Sequence, residues 1–162
     1  MEKLKAIIIL SVKGLVILFF LSAKAHGQDL NKQQVQNAVQ AKAFVFKAQT
    51  VMPMSGGSRQ LTTEYDVKFL GDSIVSYLPY FGRAYNASYG TQDGGINFTS
   101  TKFEYKAKAG KKGAWDIAVK PKDAKEIQEM NFTISENGSA SLRVTSTNRQ
   151  PISFYGYIIK PK

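Results

Sequence analysis

Apolar and polar residues alternate at every second position through most of the chain from Ala43 onward. The clearest run is residues 115–119, where Trp115, Ile117 and Val119 are separated by an aspartate and an alanine. Successive side chains of a β-strand point to opposite faces, so this period predicts strands with one buried face. Short connections between such runs favour antiparallel neighbours. The pattern predicts a mainly β fold, an antiparallel meander of about eight strands.

Turn-forming residues set the limits of these predicted strands. Gly71 and Asp72 separate a strand predicted for residues 61–70 from one predicted for 73–78, and Asn137 with Gly138 gives the strongest hairpin signal. The apolar parity changes between residues 96–98 and residues 103–105, which predicts a one-residue bulge near residues 100–101 within one strand.

A meander of this length tends to curl, because closure removes exposed strand edges. We therefore expect a strongly curved sheet or an up-and-down barrel, with a two-sheet sandwich as the alternative. One helix of about residues 30–41 is predicted before the first strand, with Asp29 as its N-cap. Val35, Ala38 and Val39 form its thin apolar stripe, so the helix is expected to pack through one face.

Residues 1–27 have the features of a signal peptide. Three lysines accompany an apolar run at residues 15–21, and a small-x-small cleavage pattern follows at residues 23–25, with a second at 25–27. The apolar run is shorter than the roughly 20 residues of a spanning helix, although an uncleaved anchor is the alternative. We expect an exported protein in which residues 28–162 form a single β domain without a membrane span. Its destination is the periplasm, the outer-membrane surface or the medium.

An aromatic-rich stretch at residues 75–85 is the most distinctive part of the sequence. Pro79 ends the predicted strand and Gly82 permits a turn, so one interpretation is a structural corner that pins its rings into the core. The alternative is a ligand-facing aromatic platform on which Arg83 contacts an anion or stacks on a ring. The candidate ligand-binding residues are Tyr77, Tyr80, Phe81, Arg83 and Tyr85.

Four stretches give the chain a resemblance to a known family. They are residues 44–49 (FVFKAQ), 78–85 (LPYFGRAY), 93–98 (DGGINF) and 148–156 (NRQPISFYG). Together they are similar to a domain-of-unknown-function family of small exported bacterial proteins. The resemblance implies a single mainly β domain behind an export signal. It implies no activity, so no catalytic residue is carried over from it.

Several classes of chemistry are excluded by residue content. The only histidine is His26, inside the predicted signal peptide, and the chain has no cysteine. Catalysis by Ser-His-Asp or Cys-His groups and Cys/His zinc sites are therefore excluded. Carboxylate chemistry remains, with Asp66 and Asp72 or Glu104 and Asp116 as candidate pairs that have no characteristic spacing. We predict that the protein is not an enzyme and needs neither cofactor nor metal.

The chain is basic, with a net charge of +10. Without residues 1–27, 18 basic and 11 acidic residues remain, a net charge of +7. Such charge attracts anionic glycans, lipid headgroups or nucleic acid, but these lysines are scattered among acids, as is typical of a solvated face. No nucleic-acid partner is expected.

Three functions follow from these observations. The first is a non-enzymatic binding or accessory module that holds an apolar or glycan-like ligand in a β cavity. The second is an envelope-associated interaction protein with a basic surface that binds an anionic envelope ligand. The third is a carboxylate-dependent hydrolase, which requires two acids across a cleft.

Overall fold

The computed structural model describes residues 30–83 and 94–161. The predicted signal peptide, Tyr85 and most of the segment before β4 lie outside these residues. The elements of the described part are α1 Lys32–Gln40, β1 Ala43–Pro53, β2 Arg59–Leu70, β3 Ile74–Leu78, β4 Ile96–Ser100, β5 Phe103–Ala109, a 3₁₀ turn Lys111–Gly113, β6 Trp115–Pro121, β7 Ile127–Ile134, β8 Ser139–Ser146 and β9 Ile152–Ile159.

All nine strands belong to one antiparallel sheet in the order β4-β3-β2-β1-β9-β8-β7-β6-β5. Each strand pairs with its neighbours in sequence, except that β4 does not pair with β5. β1 also pairs with β9, which joins the two halves of the chain. The sheet curls into a nearly closed barrel, and its two edges, β4 and β5, are consecutive in sequence. The predicted mainly β, antiparallel fold with one N-terminal helix is confirmed.

The predicted bulge near residues 100–101 is wrong, and the described part contains nine strands rather than eight. β4 ends at Ser100 and β5 begins at Phe103, and the two residues between them carry the chain from one edge of the sheet to the other. The Asp123 carboxylate stabilises this corner, because it accepts hydrogen bonds from the buried Ser100 hydroxyl, from the Thr101 amide at 3.0 Å and from the Lys102 amide at 3.2 Å. Lys122 N–H adds a bond of 2.7 Å to the Lys102 carbonyl.

Replacing Asp123 by asparagine is expected to lower the urea midpoint of unfolding at pH 7, because a neutral amide has one acceptor oxygen in place of two and lacks the charge that strengthens the hydrogen bonds from Ser100 and the two backbone amides. The Ser100 and backbone hydrogen bonds also hold the pKa of Asp123 below its ordinary value. A carboxyl with a depressed folded-state pKa stabilises above its unfolded pKa, and that stability is lost as the pH falls. The wild-type midpoint should therefore fall more than that of D123N between about pH 5 and pH 2.

The control for this measurement is Asp72→Asn, at an exposed turn position. D72N should retain the wild-type midpoint and its pH dependence. Equal urea midpoints for D123N and D72N at pH 7 and throughout the acid range would mean that Asp123 does not stabilise the corner.

The helix begins at Lys32, two residues later than predicted. Asn31, not Asp29, is the N-cap, since its side chain accepts from Gln34 N–H at 2.9 Å while Gln34 Oε1 accepts from Asn31 N–H at 3.0 Å. This capping box satisfies two donors at once. Val39 is fully buried, and its carbonyl accepts from the Tyr105 hydroxyl at 2.9 Å, which fixes the helix to β5. Within residues 30–83 and 94–161, no helix has the length and apolar character needed to cross a bilayer.

Phenylalanine rings fill the centre of the barrel. Phe132 lies 5.5 Å from Phe69, 5.7 Å from Phe46 and 6.1 Å from Phe44, measured between ring centroids, and all are nearly or fully inaccessible to solvent. Phe154 is also fully buried. Because side chains occupy this centre, the outer surface offers the space for a ligand.

Candidate functional site

Three of the stretches that carry the family resemblance meet at one place, which we call the motif junction: Tyr80, Arg83, Gly94, Arg149 and Gln150. Gln150 N–H donates to the Arg83 carbonyl at 3.2 Å, and Arg149 Nη1 donates to the Gly94 carbonyl at 2.8 Å. The Tyr80 hydroxyl lies 2.9 Å from the Arg83 carbonyl oxygen and 3.1 Å from that of Gln150. The turn between β8 and β9 thus holds both the segment after β3 and the segment before β4.

Arg149 positions the motif junction. Its side chain is only 16% exposed, and its guanidinium lies 5.1 Å above the Tyr80 ring, in the geometry of a cation–π contact. The Glu126 carboxylate is 3.8 Å away. A cavity of about 140 Å³ lies beside Arg149, between β4 and the connection from β6 to β7, with Ile96 and Ile127 among its lining residues. Arg149 Nη1 also donates to the Gly95 carbonyl at 3.1 Å, so this side chain joins the turn between β8 and β9 to the segment before β4.

The chain at Gly82 passes close to the Tyr80 side chain. A Cβ atom on Gly82 would overlap the Tyr80 hydroxyl group. The sequence interpretation of this stretch as a structural corner agrees with the contacts of Tyr80.

Phe81 is turned the other way, to the outside. It is 37% exposed, and the Arg59 guanidinium lies 5.3 Å from its ring centroid. β3 pairs only with residues 66–69 of β2, so the first half of β2, which begins at Arg59, extends past the end of β3. This offset leaves the chain after β3 free to lie beside Arg59.

Tyr77 adds a second exposed ring near the end of β3. It is 50% exposed and stacks on Tyr65 at 5.4 Å between centroids, with an angle of 29° between the ring planes. We use the name aromatic–arginine surface for two ring contacts, Arg59 with Phe81 and Tyr65 with Tyr77, together with the exposed Arg83. Its side chains come from β2, β3 and the segment that follows β3.

The structure separates the five predicted site residues into two groups. Tyr77, Phe81 and Arg83 are exposed, whereas Tyr80 belongs to the motif junction, and Tyr85 lies outside the described residues. The expected stacking partner was Arg83, but the guanidinium groups above the Tyr80 and Phe81 rings belong to other residues. Those two residues, Arg149 and Arg59, were missed. Arg149 lies inside a stretch of the resemblance, whereas no sequence signal marked Arg59.

Three of the four candidate catalytic acids, Glu104, Asp116 and Asp66, form ion pairs or hydrogen bonds with neighbouring side chains. The β5–β6 register places Glu104 opposite Lys120 and Asp116 opposite Lys108. Glu104 and Asp116 are therefore four positions apart along the strands, about 13 Å. That separation exceeds the roughly 5–10 Å between the acids of glycosidases. An ion pair of 2.8 Å with Lys122 also lowers the pKa of Glu104, which favours the charged form of an exposed acid.

Asp66, a member of the other candidate pair, forms an ion pair with Lys47. The Lys47 ammonium lies 3.0 Å from Asp66 and 3.1 Å from Glu64. Burial lowers the pKa of Lys47, but its hydrogen bonds to the two acids outweigh this effect and raise it. In the part of the chain that the structure describes, no group of three or more His, Cys, Asp or Glu side chains is placed to hold a metal ion.

Comparison with known proteins gives one family. A family model described as "Domain of unknown function (DUF4251)" matches residues 27–158. The fold is similar to the crystal structure of a DUF4251 family protein from Bacteroides eggerthii DSM 20697, with a TM-score of 0.57, 18% sequence identity, and coverage of 80% of this chain and 87% of that chain. No curated protein matches the chain. The resemblance to a domain-of-unknown-function family is confirmed.

Proposed function

We propose a binding function for this chain, which belongs to the DUF4251 family, a domain of unknown function. The proposed protein is an exported, non-enzymatic module that binds an anionic glycan on its aromatic–arginine surface. The signal-peptide features of residues 1–27 support export. The residue content supports a non-enzymatic role, since the chain has no cysteine and its only histidine lies within that leader.

The observation that carries the proposal is the exposed Phe81 ring with the Arg59 guanidinium beside it. The apolar face of a sugar ring packs on an exposed aromatic ring, and aromatic residues with few placed polar groups are typical of ligand sites. A guanidinium stacked on a ring keeps its in-plane N–H donors for a carboxylate, sulfate or phosphate. Arg83 is also exposed and lies two residues after Phe81.

Replacing Phe81 by alanine is expected to weaken binding of an anionic polysaccharide at least about tenfold, equivalent to about 1.4 kcal/mol. The test is calorimetric titration of the exported protein with a uronate-containing and a neutral oligosaccharide. Tyr155→Ala is the matched control, because Tyr155 is 45% exposed but lies on β9 outside this surface. Arg59→Gln should remove the preference for the anionic sugar, whereas Arg143→Gln, at another exposed arginine, should not.

Equal affinities for F81A and Y155A would exclude the aromatic–arginine surface as the binding site. Failure of every tested glycan to bind the wild-type protein would overturn the glycan proposal itself.

A further inference from the structure

A groove runs along the outer face of β1 and is lined by residues other than those of the aromatic–arginine surface. It has a volume of about 550 Å³ and lies between β2 and β9. Phe44 and Phe46 point into the barrel, so Val45 between them points outward, yet Val45 is only 6% exposed. The residues on both neighbouring strands therefore rise above Val45 and make β1 the floor of the groove.

The walls of the groove carry apolar side chains beside charged ones. Register places Ile159 of β9 opposite Val45, and Tyr157 of β9 opposite Lys47. Leu70 of β2 stands on the other side. Leu70 is 47% exposed and Tyr157 is 40% exposed, so two of the large exposed apolar side chains of the described part line one groove. Exposed apolar surface gathered in this way is typical of a binding site.

The charge that remains available in the groove is positive. Three lysines and two acids line it, which leaves a net charge of +1. Lys47 contacts Asp66 at 3.0 Å and Glu64 at 3.1 Å, and Lys68 lies 3.8 Å from Asp66, so these two lysines together balance the two acids. Lys160, at the end of the groove, is exposed and forms no ion pair with any residue in the described ranges. A ligand that lies along the groove thus meets the apolar side chains of Val45, Leu70 and Tyr157, and the ammonium group of Lys160 at one end.

We propose that this groove binds a single-chain amphiphile with an anionic headgroup. The apolar chain lies over Val45 between Leu70 and Tyr157, and the headgroup pairs with Lys160. The volume is within the range of about 300–1,000 Å³ that is usual for small-molecule sites. A carboxylate and a phosphate headgroup share this chemistry. The groove uses none of the residues of the aromatic–arginine surface, so this proposal and the glycan proposal can fail separately.

Calorimetric titration of the exported protein with dodecanoate, dodecyl phosphate and a neutral dodecyl glycoside, each below its micelle concentration, tests the groove. Dodecanoate, dodecyl phosphate or both should bind at least about tenfold more tightly than the neutral glycoside. The tighter of the two identifies the headgroup. Lys160→Gln should remove the preference for an anionic head, whereas Lys108→Gln, at an exposed lysine of β5, should not.

Two tyrosines of β9 provide a matched pair for the apolar wall. Tyr155 and Tyr157 are 45% and 40% exposed on the same strand, but only Tyr157 lines the groove. Tyr157→Ser should weaken dodecanoate binding at least about tenfold, and Tyr155→Ser should leave it unchanged. Equal losses in the two variants, equal binding of neutral and anionic amphiphiles, or no binding of either anionic amphiphile would each overturn the proposal.

Discussion

Replacing Phe132 by alanine is expected to lower the free energy of unfolding by about 3–5 kcal/mol. Phe132 of β7 is 1% exposed and contacts the rings of Phe44, Phe46 and Phe69 with near-perpendicular planes of 76–85°. Alanine leaves a cavity where the three rings meet, and residues fixed on paired strands collapse into it only partly. Urea unfolding followed by tryptophan fluorescence measures the loss.

Phe132→Leu should lose less than F132A, and it provides a measurement if the alanine variant does not fold. Phe81→Ala is the surface control and should change stability by less than about 1 kcal/mol, because Phe81 is already 37% exposed. Similar losses for F132A and F81A would contradict a core centred on Phe132.

Gly156→Ala is expected to destabilise the fold by at least about 3 kcal/mol, at or beyond the upper end of the usual overpacking range. A Cβ atom at this position would lie 2.9 Å from the Lys47 carbonyl carbon and closer still to its oxygen. Gly156 lies opposite Ala48, beside the register shift between Ala48 and Thr50, where β1 approaches β9 closely. The obstacle is backbone, so no side-chain rotation relieves it, and the pairing that joins the two halves of the sheet has to shift.

The matched control is Gly57→Ala. Gly57 lies in the loop between β1 and β2, and a Cβ atom there would meet nothing within 4 Å. G57A should retain wild-type stability or gain about 0.4–1 kcal/mol through reduced freedom of the unfolded chain. If G156A unfolds at the same urea concentration as G57A, the close approach of β1 to β9 is not a constraint on the fold.

Local sequence patterns predicted the strands because the period of a strand and the chemistry of a turn are local properties. The alternation at residues 115–119 became β6, and Asn137 with Gly138 lies in the hairpin between β7 and β8. The helix start shows that a local signal can also be overlooked. Asn31 and Gln34 have the spacing of a capping box, and that spacing identifies the N-cap better than the preceding Asp29 does.

The closure of the sheet depends on residues far apart in sequence. A change of parity near residues 100–101 fits either a bulge within one strand or the end of one strand and the start of another. The corner between the two strands is stabilised by Asp123, more than twenty residues later. The pairing of β1 with β9 has the same character, since nothing in either strand specifies the other as its neighbour.

The candidate site likewise combines residues that the local sequence marked with contacts between residues far apart in sequence. Tyr77 and Phe81 are exposed, and the ligand-facing aromatic platform stays a prediction from the sequence around them. The contacts of Arg59 with Phe81 and of Arg149 with Tyr80 could not be predicted from the sequence. The first depends on the offset of β2 and β3, and the second on the turn between β8 and β9.

The proposed glycan binding depends on a β scaffold that presents Phe81, Tyr77 and Arg59 to the ligand. The most direct test is an NMR titration of isotope-labelled protein comprising residues 28–162 with a uronate oligosaccharide, read as amide and aromatic chemical-shift changes. The account predicts saturable changes concentrated at these three residues and their neighbours, with the amides of β6 and β7 unaffected. Saturable changes that leave Phe81, Tyr77 and Arg59 unaffected would contradict it.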